Sequence, residues 1–254
     1  MNYPSWRAYR VWQRDRDVFF RMWKAEFIPY FVEPLVILTA LGFGLGGFIG
    51  LVGQQNYLQF LTPGIVVAYA MFTATFECTY GSYIRMEMQR TFDAIISTPL
   101  SIEDVITGEI LWAATRSLMT SVAIILVALA FKVVPAPSVV VVPLVAVLTG
   151  LMFGSISMFF TSLAPSISSF NYFFTLFITP IYFFSGVFFP LSNLPPAFQA
   201  ISGFLPLAPA VNLSRAFFYG EWHPGLLWDV AYIVVLTAGF FLASLVTMRR
   251  RLIK

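Results

Sequence analysis

Residues 139–163 read VVVVPLVAVLTGLMFGSISMFFTSL, a run of 25 residues without a charged side chain. About 20 consecutive apolar residues are enough for an α-helix to cross the hydrocarbon core of a bilayer. Further apolar runs of similar length lie on both sides of this stretch, near residues 27–49, 63–84, 107–131, 169–189 and 226–248. The pattern predicts an all-α polytopic membrane protein with six transmembrane helices.

The composition of the whole chain agrees with this reading. It is 59% hydrophobic and 11% charged, with a mean hydropathy of +0.81, whereas roughly a quarter of the residues of soluble domains are charged. In 254 residues, six spans leave room for short loops but not for a folded soluble domain. We therefore expect one transmembrane domain over residues 1–254, divided into 1–26 (interfacial), 27–189 (spans one to five), 190–225 (outer segment) and 226–254 (span six and basic tail).

The basic residues predict the orientation of the chain. Most of the 15 Lys and Arg residues precede span one, follow span two or end the chain. The positive-inside rule places those segments, and with them both termini, in the cytoplasm. Lys132 and Arg215 fall outside, and Arg116 lies within span three. Because the basic residues cluster at membrane edges and not along one polar face, the pI near 9.1 does not predict a nucleic-acid partner.

The first two dozen residues mix aromatic and basic side chains. Aromatic rings favour the headgroup region of a bilayer, and Arg and Lys meet its anionic phosphates. The segment is therefore predicted to be an amphipathic helix lying on the cytoplasmic leaflet, the alternative being an unstructured basic tail. Its aromatic residues are Trp6, Tyr9, Trp12, Phe19, Phe20 and Trp23.

Residues 190–225 form the least regular segment. They are too apolar for a solvated loop, and their prolines interrupt the helical bonding that a lipid environment demands. Short re-entrant helices, buried against the spans from the outer side, satisfy both constraints. A cap packed on the outer membrane surface is the alternative.

Four ionisable residues lie inside the predicted spans: Glu33, Glu77, Glu109 and Arg116. Such residues are costly in a bilayer and need a partner or a function. At about 1.5 Å per residue, Glu77 lies roughly 10 Å above the cytoplasmic end of span two and Arg116 roughly 13 Å above the start of span three. These matching depths predict an intramembrane ion pair, with a role in substrate passage or gating as the alternative. The roles of Glu33 and Glu109 stay open.

The cytoplasmic loop after span two is charged and amphipathic. Thr91 to Ser97 is predicted to form a short helix with Phe92, Ile95 and Ile96 as apolar points, and Pro99 ends it. Ser101, followed three residues later by Asp104, provides an N-cap for span three. The loop suits contact with another protein, although any connection between two helices can have this pattern.

Several kinds of site are not indicated. No Gly-x-x-x-x-Gly-Lys-Ser/Thr phosphate loop occurs, so the chain is not expected to bind nucleotide by that route. Cys78 and His223 are each the single residue of their type, which argues against a metal site or a catalytic base. Glycines at 42, 46 and 50, and at 150 and 154, permit close helix packing, within the chain or against a second subunit.

Through a set of short segments in the same order, the chain resembles the type-2 ATP-binding-cassette (ABC) exporter permeases. Within that family it resembles the nodulation-factor (lipo-oligosaccharide) exporter branch. The resemblance covers nearly the whole chain. The segments are FLTPGI (60–65), ATFE (74–77), RME (85–87), QRT (89–91), TPL (98–100), GE (108–109), WAA (112–114), LAP (163–165), ITP (178–180), FSG (184–186), FP (189–190) and LP (194–195).

The resemblance implies six spans, an N-terminal connecting helix, a cytoplasmic coupling helix and re-entrant helices before span six. It also implies a homodimer in the bacterial inner membrane, bound to two copies of a separate ATPase that uses Mg-ATP, with no cofactor in this chain. The coupling role falls on Thr91, Phe92, Asp93, Ala94, Ile95, Ile96, Ser97, Thr98, Pro99 and Leu100. The outer gate falls on Pro190, Leu194, Pro195, Pro196 and Arg215.

The expected function is outward movement of an amphipathic substrate: a lipid-linked glycan, a lipo-oligosaccharide or a hydrophobic drug. Besides membrane lipid, its partners are the ATPase and a second copy of the chain. We expect the substrate path to be a cavity lined largely by spans two and five, whose aromatic surface comes from Tyr172, Phe173, Phe177, Tyr182 and Phe183.

Two alternatives belong to other classes. An ion-coupled carrier usually shows discontinuous helices at matching positions in two halves, whereas here the broken segment occurs once. A membrane enzyme acting on lipid would need a polar cluster, for which Glu221, His223 and Asp229 are the sparse candidates.

Overall fold

The computed structural model describes residues 4–49, 51–52 and 55–252. These residues form helices joined by short connections, with one small antiparallel pair of strands, β1 (Leu51–Val52) and β2 (Gln55–Asn56). A single-turn 3₁₀ helix covers Leu191–Asn193. The helices are α1 (Ala8–Arg21), α2 (Trp23–Ile49), α3 (Tyr57–Met88), α4 (Thr91–Ile96), α5 (Ile102–Ala130), α6 (Pro137–Leu163), α7 (Ser169–Phe184), α8 (Pro196–Ser202), α9 (Leu207–Tyr219) and α10 (Leu226–Leu252).

Within the described part of the chain, α2, α3, α5, α6 and α10 are long and apolar enough to cross a membrane. The all-α polytopic fold is therefore confirmed. The run predicted as span five is shorter than expected, because α7 ends at Phe184 and spans about 24 Å at 1.5 Å per residue. Gly186 follows with a left-handed φ of +81°, a conformation that ends a helix. The count of six spans stays a prediction.

Helix α3 lies at the centre of the fold, packed against α5, α6 and α9, while α6 also packs against α5 and α10. Helices α6 and α5 approach each other closely at Gly150 of α6, where an added Cβ atom would lie 2.6 Å from Ser117 Oγ of α5. This part of the glycine pattern therefore serves packing within the chain. Gly50, from the other part of that pattern, lies outside the described residues.

The N-terminal segment folds as the helix α1 and not as an unstructured tail. Ala8, Val11, Asp15 and Phe19 are buried on one face, at the spacing of an amphipathic helix. That face lies on the start of α5, where a Cβ atom added at Gly108 would approach Val11 Cβ to 2.5 Å. Placement of α1 on the cytoplasmic leaflet stays a prediction.

The segment predicted to be re-entrant contains two different helices. Helix α9 is buried among α3, α6 and α10, and Ser214 Oγ donates to the Pro63 carbonyl of α3 at 2.8 Å. Helix α8 is exposed and presents Phe198 and Ile201 outward. The structure gives the packing of α9, while its depth in a membrane stays a prediction.

Candidate functional site: an ion-pair network between two cavities

The structure brings Glu77 and Arg116 together. The Glu77 carboxylate of α3 contacts the Arg116 guanidinium of α5, and Glu77 is only 5% exposed. Arg116 Nε also donates to the Tyr30 hydroxyl of α2 at 2.6 Å. The pair therefore links three of the long helices.

Arg85 is a second cation of this site. Its Nη2 lies 2.7 Å from Glu77 Oε1, and its Nε lies 3.1 and 3.0 Å from the two carboxylate oxygens of Glu109. Glu109 is wholly buried and also accepts a 2.6 Å hydrogen bond from Ser82 Oγ. Glu109, whose role the sequence left open, is thus a buried ion-pair partner of Arg85.

Sequence counting missed Arg85 because the predicted span ended at residue 84. In the structure α3 continues to Met88, through two π-helical stretches at Glu77–Gly81 and Ile84–Met88. Such turns shift the register of side chains relative to an α-helix and occur frequently at functional sites. The sequence signal that could have identified Arg85 as a site residue was its short spacing from Glu77.

Helix α1 extends the network beyond α3 and α5. Arg14 Nη2 lies 3.4 Å from Glu109 Oε1, and Arg14 also contacts the Asp15 carboxylate. Together the six residues carry three negative and three positive charges. Because every charge has a partner of opposite sign, the cost of burial is offset, although breaking such a pair is expensive. The members are Arg14, Asp15, Glu77, Arg85, Glu109 and Arg116.

Asp15 is the network residue that titrates near neutrality. Burial, followed by the nearby Glu109 carboxylate, raises the pKa of Asp15 to about 7, although Arg85 and Arg14 act in the opposite direction. The charge of the α1 end of the network therefore depends on pH in the neutral range.

The Glu77–Arg116 pair separates two cavities. The first has a volume of about 620 Å³, and the second, of about 420 Å³, extends to Arg14 of α1 and Thr91 of α4. Glu77, Gly81 and Arg116 line both. Other residues lining the first cavity are Pro29, Tyr30, Glu33, Ile37, Tyr69, Phe72, Thr73, Phe76, Thr120 and Tyr182.

The structure divides the aromatic residues predicted for the substrate path. Tyr182 lines the first cavity, where its ring meets Phe72 edge to face with 5.0 Å between centroids. Phe173 is buried and stacks on Phe160 at 4.3 Å. The remaining residues of that set are exposed, namely Tyr172, Phe177 and Phe183.

Most of the cavity's aromatic surface comes from α3 and not from α7. Tyr69, Phe72 and Phe76 lie along one side of α3 and line the cavity. Phe76 also stacks on Phe174 of α7 with 4.4 Å between centroids. The sequence predicted that spans two and five line the path, but the aromatic residues that it named all lie on span five, and Tyr69, Phe72 and Phe76 were missed.

The predicted coupling segment forms α4 and the turn after it. Phe92 is wholly buried in the core, while Thr91, Ile95, Ile96 and Leu100 are half-buried. Phe92 therefore anchors the helix and does not form a contact point on its surface. The exposed residues of the segment are Asp93, Ala94, Ser97, Thr98 and Pro99.

Basic residues from both ends of the chain contact the segments around α4 and the end of α6. Arg7 Nη1 donates to the Pro99 carbonyl at 2.6 Å. Arg251 Nη2 lies 2.9 Å from Glu87 Oε1, and Arg251 Nη1 donates to the Thr161 and Ala164 carbonyls at the end of α6. The sequence identified these arginines as orientation signals and missed their contacts.

The residues predicted for the outer gate lie in separate places. Arg215 of α9 lies over the Phe60 ring at 4.0 Å and donates to the Gly186 carbonyl at 2.6 Å. Pro190 and Leu194 flank the 3₁₀ turn, and the exposed Pro195 and Pro196 begin α8. The structure therefore places Arg215 inside the helical packing and the prolines at its edge.

A bundle of membrane helices with paired internal charges, cavities and a charged loop between two of the long helices has the organisation of a transport permease. The family model described as "ABC-2 type transporter" matches residues 8–219. The chain belongs to this family. It is accordingly a permease subunit of an ABC transporter and not a catalytic enzyme or an ion-coupled carrier.

Named relatives cover almost the full chain. Nodulation protein J of Rhizobium leguminosarum bv. trifolii is 39% identical over 255 residues, which cover 98% of this chain and 95% of the relative. Nodulation protein J of Bradyrhizobium diazoefficiens is 36% identical over 254 residues, which cover 100% of this chain and 96% of the relative. The inner membrane transport permease YadH of Escherichia coli is 24% identical over 243 residues, 95% and 94% of the two chains. The resemblance to the nodulation branch is thereby confirmed.

Proposed function

We propose that this chain is the membrane subunit of an exporter in the bacterial inner membrane, moving an amphipathic substrate outward with energy from a separate ATPase. Two copies of the chain would pair with two copies of the ATPase, which binds Mg-ATP. Both termini would lie in the cytoplasm, and α7 with the turn after it would serve as the fifth span. The substrate classes are lipo-oligosaccharide, lipid-linked glycan and hydrophobic drug.

The observation that carries this proposal is the continuous network from α1 to the wall of the first cavity. A force applied at α4 reaches α3, because Phe92 fixes α4 in the core and α3 ends only three residues before α4 begins. Arg85 and Glu77 both belong to α3, so movement of this helix changes the contacts of Arg116. The ion pair between the two cavities would then act as an inner gate.

The exposed part of α4 is the surface that would receive the ATPase. Asp93 and Ala94 face outward, next to the exposed Ser97 and Thr98. Arg90, before the helix, has a left-handed φ of +53°, which turns the chain sharply between α3 and α4. The surface is therefore held in one orientation by a turn on one side and by Phe92 on the other.

Co-purification tests the proposal. The tagged full chain is purified from its native host, and the purified material is assayed for a nucleotide-binding subunit and for ATP turnover. We expect Ala94→Asp to reduce co-purification and turnover several-fold. Ala200→Asp, at an exposed position of α8, is the matched control and leaves both unchanged. If no nucleotide-binding subunit accompanies the chain, or if Ala94→Asp behaves like the control, the proposal fails.

A further inference from the structure

Glu33 differs from the other carboxylates around the first cavity. It lies on α2, lines the cavity and is exposed. Glu77 and Glu109 each bind arginines, but no described Lys, Arg or His forms an ion pair with Glu33. A carboxylate in an apolar span without such a partner has a functional role by default.

The charges on the cavity wall do not cancel. Among the residues that line it, Glu33 and Glu77 are acidic and Arg116 is basic, and Glu77 and Arg116 already contact each other. One negative charge therefore faces the cavity. A carboxylate without an ion-pair partner attracts positive charge and repels negative charge, so this wall favours a cation over a phosphate or pyrophosphate.

Aromatic rings surround the same space. Tyr69 lies beside Glu33, and Phe72 contacts Tyr182 edge to face with 5.0 Å between ring centroids. Phe76 continues the aromatic wall, stacked 6.5 Å from Phe72. The faces of aromatic rings carry negative electrostatic potential, and aromatic rings together with a carboxylate form the usual binding site for organic ammonium groups.

We propose that the first cavity binds an amphipathic organic cation, a lipophilic amine or quaternary onium group, with Glu33 as its counter-ion. The aromatic rings of Phe72, Phe76 and Tyr182 surround the cationic centre, and its apolar part lies against Ile37. The volume of about 620 Å³ is in the range of small-molecule sites. The inference rests on the proposed function, because it names the substrate class that enters this permease. It favours hydrophobic cations over pyrophosphate-linked glycans as that class.

Binding of tetraphenylphosphonium tests the proposal. Tetraphenylborate is the control ligand, since it has nearly the same shape and the opposite charge. The full chain is placed in phosphatidylcholine nanodiscs without nucleotide or ATPase, and the radiolabelled cation is titrated against empty nanodiscs. We expect saturable binding of the cation, whereas tetraphenylborate, titrated in a separate experiment, does not bind saturably. Glu33→Gln is expected to weaken cation binding at least about tenfold, because the cation loses its counter-ion.

Three further variants separate the site from the fold. Glu221→Gln makes the same chemical change at an exposed outer position and is expected to leave binding unchanged. Tyr182→Phe keeps the ring and the affinity, whereas Tyr182→Leu removes the ring and lowers the affinity. Each variant is first shown to elute as a single folded species with the thermal midpoint of the parent.

The proposal is overturned if the cation does not bind saturably, if tetraphenylborate binds equally well, or if Glu33→Gln binds like the parent. Any of these results leaves the permease assignment intact, because the measurement uses neither ATP nor the ATPase. Conversely, a failure of ATPase co-purification with normal cation binding would contradict the proposed function and not the cation site.

Discussion

Replacing Arg85 by glutamine gives the strongest test of the buried network. Arg85 bonds to both Glu77 and Glu109, and those carboxylates are almost wholly buried. Removing one partner of a buried ion pair costs roughly 3 to 5 kcal/mol. Glu77 keeps Arg116, and Glu109 keeps Ser82 and the more distant Arg14. We therefore expect a loss near the lower limit, about 3 kcal/mol.

The double variant Arg85→Gln/Glu109→Gln distinguishes charge pairing from packing. It removes one positive and one negative charge, so Glu77 still has Arg116, and Arg14 still has Asp15. If pairing is the reason for the loss, the double variant is more stable than the sum of the single losses predicts. The expected coupling energy lies within the 0.5 to 3 kcal/mol measured between contacting residues, at roughly 2 kcal/mol.

Thermal unfolding of the purified permease in detergent, followed by tryptophan fluorescence, measures these differences. Arg90→Gln is the matched control, since the Arg90 side chain is 70% exposed and its loss should change stability by less than about 0.5 kcal/mol. The reasoning is refuted if Arg85→Gln is no more destabilising than Arg90→Gln, or if the two losses in the double variant simply add.

Three other perturbations have defined outcomes. Phe92→Ala should cost about 3 to 5 kcal/mol by leaving a cavity under α4, whereas Thr98→Ala on the exposed turn should cost little by the same unfolding assay. The pKa of Asp15 is raised from 3.8 to about 7. The contribution of Asp15 to stability is therefore complete below about pH 4 and is lost as the pH rises to about 7. Asp15→Asn should remove this step from the thermal midpoint measured between pH 5 and 8, and a step of the same size in the variant would contradict the assignment. Gly108→Val should displace α1 and expose it to trypsin, while Gly47→Val, where an added Cβ meets no atom within 4 Å, should not.

The sequence predicted those features that depend on hydropathy and on residue counting. Apolar runs located the long helices, and the Ser101 and Asp104 pattern produces a capping box, with bonds of 3.0 and 3.1 Å. Counting along two antiparallel helices placed Glu77 and Arg116 at the same depth. These predictions needed only the rise of a helix and the length of a span.

The features that the sequence did not predict depend on which side of each helix packs against the other helices. The apolar residues of α4 gave no sign that Phe92 is buried while Ile95 is only half-buried. The sequence pointed to spans two and five as the cavity wall, but which of their aromatic residues line the cavity depends on the rotation of α7 relative to α3, which composition does not reveal. The π-helical turns of α3 also moved Arg85 into the site in a way that α-helical counting could not reveal.

The arginines at the chain ends have a consequence for membrane insertion. On the proposed orientation, the positive charges that retain these ends in the cytoplasm also form contacts after folding, as Arg7 does with Pro99 and Arg251 with Glu87. Replacing one of these arginines would therefore weaken an orientation signal and a tertiary contact at the same time. The same side chains thus contribute to the insertion of the chain and to its folding.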